Sequence, residues 1–231
     1  MRELAAFLSK CFRLEWKLIY FGEPKCMQEL LRSFDRVVYW VEGGQDRPAV
    51  YYIQDNEAGG VLINAPVFSP ERLASLRAVT EPKFLFLPSR LGAQDLASWK
   101  SAGLQLVAYG HEGRGLDVPM DVELDNKTRF TRTIDFLPMS GRTAGTCVLR
   151  LKNKPGALFF GPALEPGADG WPTLVMHPDD HSAEARIFGV LGLQDLKYEY
   201  AFTDRFDPET TRYGPGADQA IQQAINQALD L

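Results

Sequence analysis

The chain has 231 residues, 45% of them hydrophobic and 24% charged, with 20 Gly and 15 Pro. That balance excludes disordered, collagen-like and membrane-embedded classes, and at this length folding buries roughly 70–75% of the surface the unfolded chain exposes, so no disulfide or structural metal is needed to build a core. A formal net charge of −5 argues against neutralisation of phosphates as a mode of action, because sequence-independent nucleic-acid affinity rests on clustered Lys and Arg; no nucleic-acid partner is expected.

Cys11, Cys26 and Cys147 form no CxxC pair, which fits reduced thiols in a cytoplasmic protein and supplies no thiolate zinc cage. Leu4, Phe7, Leu8, Cys11, Leu14 and Leu18 recur at helical spacing, so residues 1–35 are expected to form an N-terminal helical extension. Its amphipathic face would pack on its own domain, on a second copy in a homodimer, or on a membrane surface. Lys10, Arg13, Glu15 and Lys17 interrupt the segment well before the roughly 20 apolar residues that span a bilayer, so neither a membrane helix nor a signal peptide is expected.

Residues 38–42, 49–54 and 60–66 are short β-branched and aromatic runs separated by Gly, Asp, Asn and Pro, the pattern of consecutive antiparallel strands. Ser69 and Pro70 then open a helix over 69–79, with Leu73, Leu76 and Val79 on one face. The continuous apolar run 84–88 predicts a strand covered on both faces, followed by a polar loop, a helix near 93–102 and a strand at 105–109. The second half repeats the plan. Strands are expected at 118–124, 131–138, 146–152 and 157–161, then a polar loop to about 178. A helix at 182–193 capped by Ser182, a strand at 198–202 and a closing helix at 217–229 complete it. Two halves of the same order predict an α/β fold, a four-layer αββα sandwich forming one domain over 36–231.

Several local phrases carry a resemblance. GGVLINAP (59–66), FLFLPSRLGAQDLASW (84–99), MSGRTAGT (139–146) and LFFGPAL (158–164) are similar to four signature segments of the metallo-β-lactamase superfamily, and the match spans roughly 35–210. The resemblance implies the αββα fold. In that family the loop after the fourth strand reads Thr-His-x-His-x-Asp-His, two histidines holding one metal and the Asp and last His a second, which together activate a bridging hydroxide. Here the loop is Pro88-Ser89-Arg90-Leu91-Gly92-Ala93-Gln94, and every ligand position is replaced. The third histidine falls on Arg142, the bridging aspartate on Pro162, and the last histidine near Thr203-Asp204-Arg205. Only three histidines exist in the chain, His111, His177 and His181, whereas the family's dinuclear site uses about five.

Each remaining constellation has a functional and a bland reading. Asp95, just past the expected carboxylate, is a leftover ligand or a residue near a helix N-terminus. His177, Asp179, Asp180 and His181 are the densest set of donors, able to form one rebuilt Zn, Mn or Fe site; Pro178 argues instead for a solvated loop leading into the helix at Ser182. Arg90, Arg142 and Asp204 or Arg205 would meet at the sandwich edge, where two arginines bind an anion or pair internally with Asp95 or Asp204. Ser89 lacks a nucleophile elbow and a histidine base, and Cys147 sits within a strand, so neither is expected to be catalytic. Gly110-His111-Glu112-Gly113-Arg114-Gly115 reads as an exposed turn. Trp40, Tyr51 and Tyr52 read as core, and Trp171, in the 165–179 loop, as a residue able to cover the cleft mouth.

The resulting expectation is a metal-free, non-hydrolytic protein of this fold with a binding, regulatory or assembly role, no cofactor, and a small anion or a protein as partner. Its candidate cleft comprises Ser89, Arg90, Asp95, Arg142 and Asp204. The alternatives are hydrolysis of an ester, thioester or lactone through His177, His181 and Asp179, or anion binding through Arg90 and Arg142.

Overall fold

Side-chain alternation along single strands explains the architecture. In β3 (Val50–Asp55), Tyr51 and Ile53 face one way and Tyr52 the other, yet all three are buried. A strand with apolar residues on both faces must be covered on both. The same holds in β10 (Ala157–Gly161), where Phe159 joins one core and Leu158 and Phe160 another. A computed structural model describes residues 27–229 apart from 45, 46, 126 and 129. The helix expected in the first 20 residues, with Cys11 and Cys26, lies outside the described residues.

The first sheet has seven strands in chain order: β1 (Met27–Arg32), β2 (Arg36–Val41), β3, β4 (Gly59–Ile63), β5 (Pro82–Leu87), β6 (Gln105–Tyr109) and β7 (Val122–Leu124). β1 to β4 form an antiparallel meander, and β4 to β7 are parallel. The crossovers between the parallel strands carry α1 (Pro70–Val79), α2 (Leu96–Ser101) and the single turn α3 (Gly110–Gly113). The second sheet has the order β13-β10-β9-β8, built from β8 (Ile134–Pro138), β9 (Cys147–Leu151), β10 and β13 (Tyr200–Thr203). Its outer face carries α4 (Ala183–Leu191) and α5 (Ala217–Ala228).

Three cores hold four layers together. Between the sheets, Tyr51, Ile63 and Phe86 meet Leu149, Phe159 and Phe202. Outside the first sheet, Leu62, Leu85 and Leu106 pack on Leu73, Leu76 and Trp99. Outside the second, Val148, Leu158 and Phe160 pack on Val190, Ile221 and Ile225. This is the expected αββα sandwich. Cys147 is buried at the start of β9, as its place in a strand implied. Both predicted N-caps form: Ser69 Oγ accepts from Arg72 N–H at 3.1 Å and Ser182 Oγ from Ala185 N–H at 3.1 Å.

Three differences from the sequence reading have physical causes. Met27–Arg32, expected within the helical extension, is a strand paired with β2, so the sheet begins before residue 36. A register shift between Glu29 and Leu31 buries both Leu30 and Leu31, which breaks the period-two signal that would have marked a strand. The loop from 162 to 178 contains a two-stranded ribbon, β11 (Glu165–Pro166) with β12 (Pro172–Thr173), too short to show a pattern. The segment 118–124 contributes only Val122–Leu124 to its sheet. Among the described residues no helix is long and apolar enough to cross a membrane.

Candidate functional site

At one end of the sandwich the connection after β5, the turn before β9 and the exits from β10 and β13 come together. Cys147 N–H, opening β9, donates to Pro88 O at 2.9 Å, and Asp204 N–H, closing β13, donates to Gly161 O at 2.9 Å. The rim segment 42–49 joins them through Ala49 N–H, which donates to Asp204 O at 2.7 Å. These connections enclose a cleft of about 800 Å³, whose wall includes Trp40, Leu91, Arg142, Glu165, Asp204 and Phe206.

The five candidate residues do not share this cleft. Ser89 is fully buried, and its Oγ accepts from Leu91 N–H at 3.2 Å to cap a 3-10 turn over Arg90–Gly92. Arg90 is exposed and stands outside the cleft wall, so the expected pair of Arg90 with Arg142 is not assembled. Asp95 occupies the N-cap position of α2 in a left-handed conformation (φ 47°), and its Oδ2 accepts from Phe68 N–H at 2.9 Å. That contact and the cap position match the reading of Asp95 as a residue at a helix N-terminus, and among the described residues it belongs to no group of three potential ligands. Arg142 and Asp204 do line the cleft.

Arg142 is paired internally, though with other partners than Asp95 or Asp204. Its Nη1 lies 3.1 Å from Asp179 Oδ2 and 3.5 Å from Asp180 Oδ1, while its side chain is only 15% exposed. The guanidinium holds the Asp179 carboxyl below the usual carboxylate range. Asp180 also accepts from Arg186 Nη1 at 2.8 Å, and Arg186 Nη2 donates to Ala163 O at 2.9 Å. The segment 177–180 is a turn closed by His177 N–H on Asp180 Oδ2 at 2.8 Å. His177 Nε2 lies 2.6 Å from Glu165 Oε1, whose other oxygen lies 3.1 Å from Arg205 Nη1, and His181 is exposed. The proposed trio His177, His181 and Asp179 is therefore not assembled, because His177 is turned to Glu165, Asp179 to Arg142, and His181 to solvent. Among the described residues no three His, Cys, Asp or Glu side chains are placed to hold a metal.

The fold's metal chemistry can be tested against what stands at the ligand positions. A guanidinium cation at Arg142 and the proline ring of Pro162 supply no lone pair. The donor set does not fit.

Three residues that sequence reasoning passed over complete the site. Glu112, read as part of an exposed turn, is 1% exposed on α3. Its Oε2 accepts from Arg90 N–H at 2.6 Å and its Oε1 from Gly145 N–H at 2.7 Å. One carboxylate thus ties the loop after β5 to the turn before β9. Gly145 is required there, since a Cβ would lie 2.9 Å from Glu112 Cγ. Asn64 follows β4 in a left-handed conformation (φ 61°), and its Nδ2 donates to Ala49 O at 2.8 Å and to Asp204 Oδ1 at 2.7 Å. Glu165, the third, brackets His177 and Arg205. The αL-tolerant Asn before Ala65-Pro66 was a legible turn signal; nothing local marked Glu112 or Glu165.

Asp204 is the electrostatic anomaly. It is 8% exposed, and among the described residues no donor reaches its Oδ2. Burial pushes its carboxyl up to about 7, the negative charge of Glu165 adds to the rise, and the Asn64 hydrogen bond opposes it.

No family model and no curated protein matches this sequence. Solved structures do match. The chain is similar to the crystal structure of VMB-1, with a TM-score of 0.67 at 12% identity over 90% of this chain and 100% of that one. It is also similar to the DIM-1 metallo-β-lactamase, with a TM-score of 0.64 at 10% identity over 87% and 98%. A metallo-β-lactamase from Pontibacter korlensis gives 0.62 at 14% over 89% and 98%. The chain has the metallo-β-lactamase fold, as its four local phrases implied.

Proposed function

We propose that this chain is a binding protein on a metallo-β-lactamase fold, working without a metal and without hydrolysis, its cleft kept for a small molecule. The observation that carries the reading is the bracing of the loops. Where the fold places metal ligands, Glu112 clamps Arg90 N–H and Gly145 N–H, and Arg142 is held by Asp179 and Asp180. Carboxylates and a guanidinium do the cross-linking that a metal does when ligands from several loops converge on it. Fold likeness says nothing of activity, so the reading rests on these side chains alone. A reducing, cytoplasmic setting suits the free thiol of Cys147.

The test is metal content per chain by mass spectrometry, on protein without a histidine tag grown with zinc, manganese and iron supplied. Hydrolysis of a p-nitrophenyl ester, a thioester and a lactone is assayed on the same preparation. The expected result is a metal content near zero and hydrolysis no faster than in buffer. About one metal per chain, lost together with hydrolysis in His181→Ala, would overturn the reading and install the rebuilt mononuclear site.

A further inference from the structure

The charges around the cleft do not cancel evenly. Among the described residues six charged side chains line it: Glu42, Arg47, Arg142, Glu165, Asp204 and Arg205. Arg142 is neutralised by Asp179 and Asp180, and Arg205 by Glu165. Glu42 and Arg47, opposite in sign, share one rim segment. What remains among the described residues is Asp204, buried, with Oδ1 satisfied by Asn64 and Oδ2 reached by no donor. A buried carboxylate with an empty acceptor site is costly unless a donor or cation meets it. The walls beside it are aromatic. Trp40 and Phe206 line the cleft, and Phe206 is fixed edge-on against Tyr51 at 5.6 Å and Tyr213 at 5.4 Å. Aromatic faces attract cations and exclude water.

We infer that the cleft binds a small organic cation, a primary ammonium on an aromatic or apolar body, with the ammonium paired to Asp204 and the body between Trp40 and Phe206. This rests on the binding-protein reading above and reverses the sign of the anion expected from Arg90 and Arg142, since Arg90 is absent from the wall and Arg142 is already paired. Opposite charge placed on Asp204 supplies the missing donor, and partial burial of the pair makes it stronger than a surface contact.

The experiment compares phenethylamine with hydrocinnamate, the same aromatic body carrying a carboxylate, on the full chain at pH 8, by thermal shift and calorimetry. Phenethylamine is expected to raise the melting temperature saturably and hydrocinnamate to leave it unchanged. In Asp204→Asn, which keeps the shape and an acceptor for Asn64, the phenethylamine affinity is expected to fall about tenfold or more. Binding of hydrocinnamate alone, equal binding of phenethylamine to Asp204→Asn, or no binding of either probe would each overturn the inference. Metal content measured on the same protein separates the failures: near zero without binding removes only the ammonium site, whereas one metal per chain removes the binding-protein reading itself.

Discussion

Glu112 shows how much one side chain can decide. Its two oxygens satisfy two backbone donors, one part-buried and one buried, on loops 22 and 33 residues away in sequence. Truncation leaves both N–H groups without a partner, at roughly 1–3 kcal/mol each. Glu112→Ala is therefore expected to lower the unfolding free energy by about 3 kcal/mol, read by urea denaturation, with Glu112→Gln losing less because its amide oxygen still accepts one bond. No change in Glu112→Ala would mean the loops are held by something else. Asp204 acts through its proton. Its folded pKa, raised from 3.8 to about 7, lies above the unfolded value, so its stabilisation is complete below pH 3.8 and is lost as pH rises through 7. The loss is on the order of 4 kcal/mol by pH 8. Asp204→Asn removes the ionisation, so melting curves are expected to show the variant gaining on the wild type between pH 5 and pH 8; parallel curves would refute the burial argument. Asp35 works in the opposite direction. The Arg36 guanidinium holds its carboxyl well below the usual range, so its contribution is present above pH 3.8 and lost in acid.

At the scale of elements, the helices are the most legible part. Ser69-Pro70 and Ser182 announced α1 and α4 because capping is a contact between residues three apart, visible in any window of sequence. Ser182→Ala is expected to cost about 1 kcal/mol. The loss should appear in chemical denaturation without altering the sheet's far-ultraviolet signature, and a cost near zero would mean α4 is held by packing alone. Its neighbourhood carries a second load. Ser182 N–H donates to Gly141 O at 3.0 Å, which fastens the start of α4 to the turn that carries Arg142. β1 was illegible for a matching reason. Its bulge places two consecutive leucines in the core, and a local pattern reader takes adjacent apolar residues for a helix. The turn at α3 was misread because its four residues carry no period, and only contact with distant loops makes Glu112 a core residue.

For the whole molecule, the sequence by itself determined the layers. Apolar runs buried on both faces, such as 84–88, demand cover on two sides, and two such sheets with helices between their strands leave an αββα sandwich as the arrangement that buries every face. It also determined which side chains stand at the fold's ligand positions, and so that a guanidinium and a proline occupy two of them. The tertiary structure decided what those side chains do. Arg142 found Asp179 and Asp180 rather than Asp95 or Asp204, and Asp204 found Asn64, 140 residues earlier. Pattern within a window follows from backbone geometry and is written locally, whereas the partner of a charge depends on which loops the packed sheets bring within 3 Å of one another. Whether Asp204 lies in water or in a cleft wall is settled by those same distances.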